Sequence, residues 1–141
     1  MKNMTYSSTN YGCINRDGAI IVHGTVAASQ TLTAGDGVVT DSSGNWIICP
    51  TNTDGTRKVG VINSDVTTAS GETQSGVEIT LFGWCNVVLD AAVEIGQTIK
   101  PSDATAGQFE VCANTDDILK IGTAMSVGGT NTQATVLIGV I

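Results

Sequence analysis

The side chains that most often do chemistry in proteins are few in this sequence and widely spaced. The single histidine, His23, has no partner at a metal-ligand spacing, and the cysteines form no CxxC pair. One histidine gives no persuasive Ser–His–Asp order, and GxSxG, P-loop and EF-hand patterns do not occur. We therefore predict that the protein is not an enzyme and that it uses no metal or other cofactor.

Paired carboxylates are a remaining route to catalysis, because two acids need only meet in space. Most aspartates, however, stand in loop-like contexts, where Asp is favoured for hydrogen bonding to its own backbone. The residues concerned are Asp36, Asp41, Asp54, Asp65, Asp90, Asp103 and Asp116. Turn formation therefore explains these acids better than catalysis does.

The four cysteines, Cys13, Cys49, Cys85 and Cys112, allow two interpretations. Buried thiols that act as small apolar side chains are the favoured one. One or two disulfides are the alternative, and the sequence does not choose among the three possible pairings.

The charge balance argues against nucleic acid and membranes as partners. The net charge is -7, and the basic residues are scattered along the chain: Lys2, Arg16, Arg57, Lys58, Lys100 and Lys120. A nucleic-acid binder needs a basic face to neutralise phosphates, and anionic lipid would repel this chain. The longest apolar runs have four residues, and the first residues do not form a signal peptide, so synthesis in the cytoplasm is expected.

Short apolar runs separated by turn residues predict an all-β fold from residue 18 onward. Residues 77–81 alternate apolar and polar side chains, as a half-buried strand does. Residues 41–45 form a turn signal between two apolar runs, as in a hairpin. Residues 89–95 are the best helical candidate, and they predict no more than a single turn before Gly96.

An internal repeat organises this β-region. Trp46 and Cys49 match Phe109 and Cys112, and an Asn-Thr-Asp run follows each cysteine. The pseudo-repeats cover about residues 18–82 and 77–141, so they share one strand. Two such halves predict nine or ten short strands that close into a small barrel or sandwich. The alignment sets His23 against Phe82, which predicts a histidine on a strand face or at the edge of the core.

Residues 1–17 are polar and aperiodic, and they predict an extended N-terminal arm ahead of a single all-β domain at residues 18–141. Both tyrosines of the chain, Tyr6 and Tyr11, lie in this arm. A free tail and a docking arm whose tyrosines contact a partner are both open interpretations.

Five short motifs of turn and strand residues follow one another in the first part of the chain. They are LTAGDGVV at 32–39, SGN at 43–45, VGV at 59–61, ASGE at 69–72 and VEI at 77–79 before Gly83. As a set they resemble the decoration (cement, or head-stabilisation) proteins of phages and related viruses. The resemblance implies a β-barrel or β-tulip module on the outer surface of the virion. Its partner would be the shell of major capsid protein, often with a trimer as the bound form. Tyr6, Tyr11 and Arg16 would then be the docking residues of the arm.

Two rival functions remain open. One is the base of a fibre or spike, which would also be a virion structural protein. The other is an adhesin-like module that binds carbohydrate and would need an exposed aromatic platform. Most aromatic residues lie in core-like contexts, which favours the decoration protein over the adhesin.

Overall fold

The protein is described by a computed structural model that covers residues 13–14, 19–51, 58–113 and 120–139. All regular secondary structure in these ranges is β-strand, which confirms the predicted all-β class. The twelve strands of the described residues are β1 (Cys13–Ile14), β2 (Ile20–Val26), β3 (Thr31–Leu32), β4 (Gly37–Thr40), β5 (Trp46–Ile48), β6 (Gly60–Ile62), β7 (Val66–Thr67), β8 (Gln74–Val88), β9 (Thr98–Pro101), β10 (Phe109–Val111), β11 (Gly122–Ala124) and β12 (Gln133–Ile138).

The first unit is a closed five-stranded ring in the order β2-β5-β4-β6-β8. β2 pairs antiparallel with the first part of β8, and it pairs in parallel with β5 through Val26 and Trp46. Because both outer members of the run pair with each other, the ring has no open sheet edge. The predicted small barrel is therefore present.

The second unit has the equivalent order β8-β10-β9-β11-β12 when it is read in the same direction. A single parallel bridge from Leu89 to Phe109 brings β10 back to the end of β8. In the first unit the equivalent parallel bridge joins Val26 to Trp46. Each bridge is followed by one more backbone hydrogen bond, from Ala27 N to Trp46 O in the first unit and from Asp90 N to Phe109 O in the second. Leu89 and Phe109 are thus the structural equivalents of Val26 and Trp46.

β8 is the strand that both units share. Its first part closes the first ring against β2 and β6, and its second part pairs with β12 from Gly83 to Val88. This register corrects one sequence alignment: His23 pairs with Glu78 as Asn86 pairs with Thr135, so its equivalent is Asn86 and not Phe82. His23 does lie on a strand face, with Nε2 3.4 Å from Oε1 of Glu78.

Alternation along the strands divides the apolar side chains between two cores. On β4, Val38 belongs to the smaller core inside the first ring, while its neighbour Val39 belongs to the larger core. The larger core is centred on Phe109 of the second unit but also includes Val61 of the first. The two units therefore bury apolar surface against each other as well as inside themselves.

The contact between units depends on a glycine. A Cβ atom at Gly37 would lie 2.7 Å from Cζ of Phe109, which is fully buried. Around this point Gly37 N donates to Gly107 O, Gly107 N to Cys49 O and Cys49 N to Gly37 O. The absence of a side chain lets the two backbones approach closely enough to form this cycle.

The segment at residues 89–95 contains no helix in the structure. Leu89 and Val93 are buried, and each forms a β-bridge with a distant residue. Cys49 and Cys112 are buried in the larger core, as small apolar side chains would be. Cys85 packs against that core as a free thiol.

Candidate docking surface

The N-terminal segment joins the barrel beside the middle of β8. β1 pairs antiparallel with the start of β2, so that Cys13 faces Ile21 and Ile14 faces Ile20. Ala19, just before β2, is buried, and a Cβ atom at Gly83 would lie 2.7 Å from its Cα. Close packing of Ala19 on Gly83 therefore places the start of β2 against the middle of β8.

Two aromatic side chains are exposed at this point. Phe82 and Trp84 flank Gly83 on β8, and they are 36% and 47% exposed. A buried aromatic side chain stabilises the core, whereas an exposed aromatic pair offers contact area to a partner. We refer to Ala19, Ile21, Phe82 and Trp84 together as the arm-root surface.

Trp84 also lines a shallow groove of about 270 Å³ between the two units. Ala19 and Ile21 line one part of it, and Gly35 of the first unit lines another. The remaining lining residues are Ala34, Ile62, Asn63, Thr80, Cys85, Asn86 and Gln133. None of these described residues carries a charge at neutral pH, so the groove is a neutral, partly apolar depression.

The polar groups of this groove bond mainly to one another. The Thr80 hydroxyl donates to Oδ1 of Asn63 at 3.0 Å. The Thr135 hydroxyl donates to Oδ1 of Asn86 at 2.9 Å, and Nε2 of Gln133 donates to the Ala34 carbonyl at 3.1 Å. These bonds hold the groove in one shape, which favours docking of a partner without rearrangement.

The groove is poorly equipped for acid–base or nucleophilic chemistry. Its ionisable side chain is Cys85, and burial raises the pKa of that thiol to about 12. A thiol with so high a pKa stays protonated at neutral pH, and the thiolate is the reactive form. The arrangement can therefore bind a neutral surface, and it offers no group to transfer a proton.

Charged clusters elsewhere in the described residues have structural partners. The Lys100 ammonium, only 6% exposed, lies 2.7 Å from Oδ2 of Asp103 and 3.3 Å from Oε1 of Glu110. The hydrogen bond to Asp103 raises the pKa of Lys100, so the ammonium stays charged. Within the described ranges no three His, Cys, Asp or Glu side chains are placed to hold a metal ion.

The predicted docking residues Tyr6, Tyr11 and Arg16 lie outside the described residues. The prediction of core positions is confirmed for Trp46 and Phe109, which are 8% and 0% exposed. Phe82 and Trp84, for which the sequence made no individual prediction, are exposed. The flanking Gly83 was the available signal, because its positive φ of 105° interrupts the regular strand on which the alternation argument depends.

Comparisons with known proteins bear on the fold. No family model matches the chain, and no curated protein matches it. Among solved structures, the head fiber gp8.5 N base of bacteriophage phi29 is similar, with a TM-score of 0.63. The match covers 85% of this chain and 95% of that one at 14% sequence identity. At this identity the likeness establishes a shared fold.

Proposed function

We propose that this protein is a structural component of a phage virion that binds the outer surface of the assembled capsid and stabilises the shell. The observation that supports it best is the shared fold with the base of a phage head fiber over nearly the whole length of that base. The motif resemblance to decoration proteins is a second, independent support. The partner is the shell of major capsid protein, and a trimer is the expected bound form.

The arm-root surface is the part of the described domain that suits this role. Its exposed aromatics supply apolar contact area, and β1 brings the N-terminal segment to the same place. Tyr6, Tyr11 and Arg16 would extend the contact from there onto the shell. Many copies on one shell would make modest individual contacts collectively strong.

The test uses undecorated capsids and the full-length protein. We expect the parent to cosediment with capsids and to raise their melting temperature. Replacement of Trp84 by Ser should weaken binding by about tenfold or more, as loss of an aromatic anchor does. Glu72→Gln, on the exposed turn before β8, is the matched control and should bind like the parent. A parent that does not cosediment would refute the proposal.

The base of a fiber or spike is the second candidate within the same class, and the fold shared with the phi29 head fiber base supports it equally. A fiber base needs to hold the shell at one place but has no need to stabilise it. Capsid binding without any rise in the melting temperature of the shell would therefore favour the fiber base over the decoration protein.

An adhesin-like carbohydrate-binding module has one observation in its favour. Trp84 is half-exposed beside the amides of Asn86 and Gln133, and an aromatic face with nearby amides suits a sugar ring. Calorimetry with a panel of oligosaccharides tests this alternative. Saturable binding that Trp84→Ser abolishes, together with no binding to capsids, would establish it in place of the capsid role.

A further inference from the structure

The two units of this protein pack head to tail, so that different faces of the two units meet. The face that the first unit uses is left uncovered on the second unit, and the face that the second unit uses is left uncovered on the first. The first unit presents the turn at residues 33–36 to the second. Val88 N of the second unit donates to Gly35 O at 3.0 Å, and a Cβ atom at Gly35 would lie 3.3 Å from the carbonyl of Asn86. We call residues 33–36 the inner turn.

The second unit carries the same turn at residues 94–97, which we call the outer turn. In the inner turn Asp36 N donates to Thr33 O, and Oδ2 of Asp36 accepts from Thr33 N at 2.8 Å. In the outer turn Gln97 N donates to Glu94 O, and Oε1 of Gln97 accepts from Glu94 N at 2.8 Å. The two turns are therefore built alike.

Their surroundings differ completely. Gly35 is buried against the second unit, whereas Gly96 is exposed and a Cβ atom there would meet nothing within 4 Å. The inner turn of the first unit is therefore covered by the second unit, whereas nothing in the described residues covers the outer turn of the second unit. If the units were related by a two-fold axis, both turns would be buried, so the packing is heterologous.

The outer turn carries a larger apolar side chain than the inner turn, and the neighbouring position changes from aspartate to valine. Ile95 takes the place of Ala34 and is 66% exposed; Val127 takes the place of Asp65 and is 67% exposed. In the first unit Oδ1 of Asp65 accepts the N–H of Ala34 at 2.8 Å. Two large apolar side chains exposed at the positions equivalent to Ala34 and Asp65 offer apolar area to a partner. We call Ile95 and Val127 the outer patch.

The first unit carries a surface that could accept the outer turn of another copy. The inner turn of the first unit contacts Asn86 and Val88 of the second unit. By strand register, Asn86 and Val88 are equivalent to His23 and Thr25 of the first unit. His23 and Thr25 line a pocket of about 330 Å³, together with Gly44 and Trp46. Within the described residues, the buried Nδ1 of His23 has no hydrogen-bond partner. We call this pocket the receiving groove.

The receiving groove has room for a larger side chain than its counterpart. The ring of Phe109 extends from the second unit against Gly37, and the ring fills the space between the units. Its equivalent Trp46 instead lies over Gly24, where even a Cβ atom would overlap the indole. The ring is thereby drawn back onto β2, which leaves the groove open for a turn that carries isoleucine instead of alanine.

We propose that copies of this chain associate head to tail, with the outer patch of one copy seated in the receiving groove of the next. The contact would use the outer turn in the place of the inner turn, with Thr98 at the position that Gly37 holds in the contact between the two units. Heterologous contacts of this kind close into a ring or continue as a filament, according to the rotation between copies. This inference does not depend on binding to a capsid.

The test is sedimentation velocity and light scattering of the purified full-length protein over a range of concentrations. We expect the parent to form a complex of several chains. Ile95→Asp should weaken association by about tenfold or more, because it places a charge in a desolvated contact. Ile95→Leu is the matched control and should assemble like the parent. Far-UV circular dichroism and melting will report whether Ile95→Asp alters folding. If it does, Val127→Asp is a second variant of the outer patch.

Mixing variants distinguishes this geometry from others. Thr25→Glu should block the receiving groove while leaving the outer patch intact. Each variant alone should be monomeric, and an equimolar mixture of Ile95→Asp and Thr25→Glu should form a 1:1 complex that grows no further. A monomeric parent, an Ile95→Asp variant that assembles like the parent, or two folded variants that do not combine would each overturn the proposal.

Discussion

Single residues at the two glycine–aromatic contacts give the two units different surfaces. Trp46 lies over Gly24 within its own unit, whereas Phe109 reaches across to Gly37 of the other unit. Both rings are buried, so each contributes apolar burial on the scale of a few kcal/mol. The choice of which glycine faces which ring decides where the units join and where a groove remains.

Asp36 is the residue whose ionisation should affect stability. Burial raises the pKa of its carboxyl, and the hydrogen bond from Thr33 N opposes part of that effect. A raised folded-state pKa means that the folded protein holds this proton more tightly than the unfolded chain does. The contribution of Asp36 therefore favours folding below the unfolded-state pKa and is lost as pH rises through the folded-state pKa.

Asp36→Asn removes that dependence while it keeps an oxygen acceptor for Thr33 N, as the amide of Gln97 does in the outer turn. We expect the variant to equal or exceed the parent in free energy of unfolding at neutral pH, and to lose this advantage in acid. Urea titrations of both proteins between acid and neutral pH measure the difference. Asp36→Ala, which also deletes the acceptor, should be less stable by about 1 kcal/mol at every pH. A parent more stable than Asp36→Asn at neutral pH would contradict the argument.

At the scale of elements, period-two alternation and turn residues were sufficient to predict strands and their number approximately. The repeat of Trp46 and Cys49 in Phe109 and Cys112 even located equivalent strands. The position of β8 was harder, because one continuous strand serves both rings and its change of partners at Gly83 depends on distant pairings. Local patterns do not carry that information, and the His23 alignment failed for this reason.

Exposure of the candidate site was difficult to predict for a related reason: Gly83 marks an irregular point of the strand, but the sequence does not indicate which side chains become exposed there. Trp84 and Trp46 stand in similar apolar surroundings along the chain, yet one is half-exposed and the other buried. The difference arises from pairing: Trp84 faces Leu137 on β12, while Trp46 closes the first ring at Val26. The two-residue β1 and its contact with β2 were likewise too short to predict from pattern.

The shared strand should make both units unfold together. Ile79 is fully buried in the smaller core and Ile99 in the larger one. We expect Ile79→Ala and Ile99→Ala each to lower the stability of the whole protein by about 2–5 kcal/mol in one cooperative transition. Coincident unfolding curves from tryptophan fluorescence and far-UV circular dichroism would show this. Two separate transitions, with only one moved by each substitution, would show that the units are independent.

At the scale of the whole molecule, the surfaces assigned to docking and to self-association lie apart and use different side chains. The arm-root surface lies beside Gly83, where the two parts of β8 meet, whereas the outer patch lies on loops at the far side of the second unit. A chain with both surfaces can bind a shell while it contacts its own copies. The four residues that define the arm-root surface are uncharged, and so are the described residues that line the groove beside Trp84.

That distribution of charge predicts how docking should respond to salt. An apolar contact is little affected by ions, whereas exposed charge pairs are screened once the Debye length falls below about 10 Å. We therefore expect the affinity of the parent for capsids to change less than about threefold between about 50 and 500 mM salt, a range that screens surface charges strongly. Cosedimentation at several salt concentrations measures this. A steep loss of binding would indicate instead that the acidic surface docks on a basic shell, and Trp84→Ser would then bind like the parent.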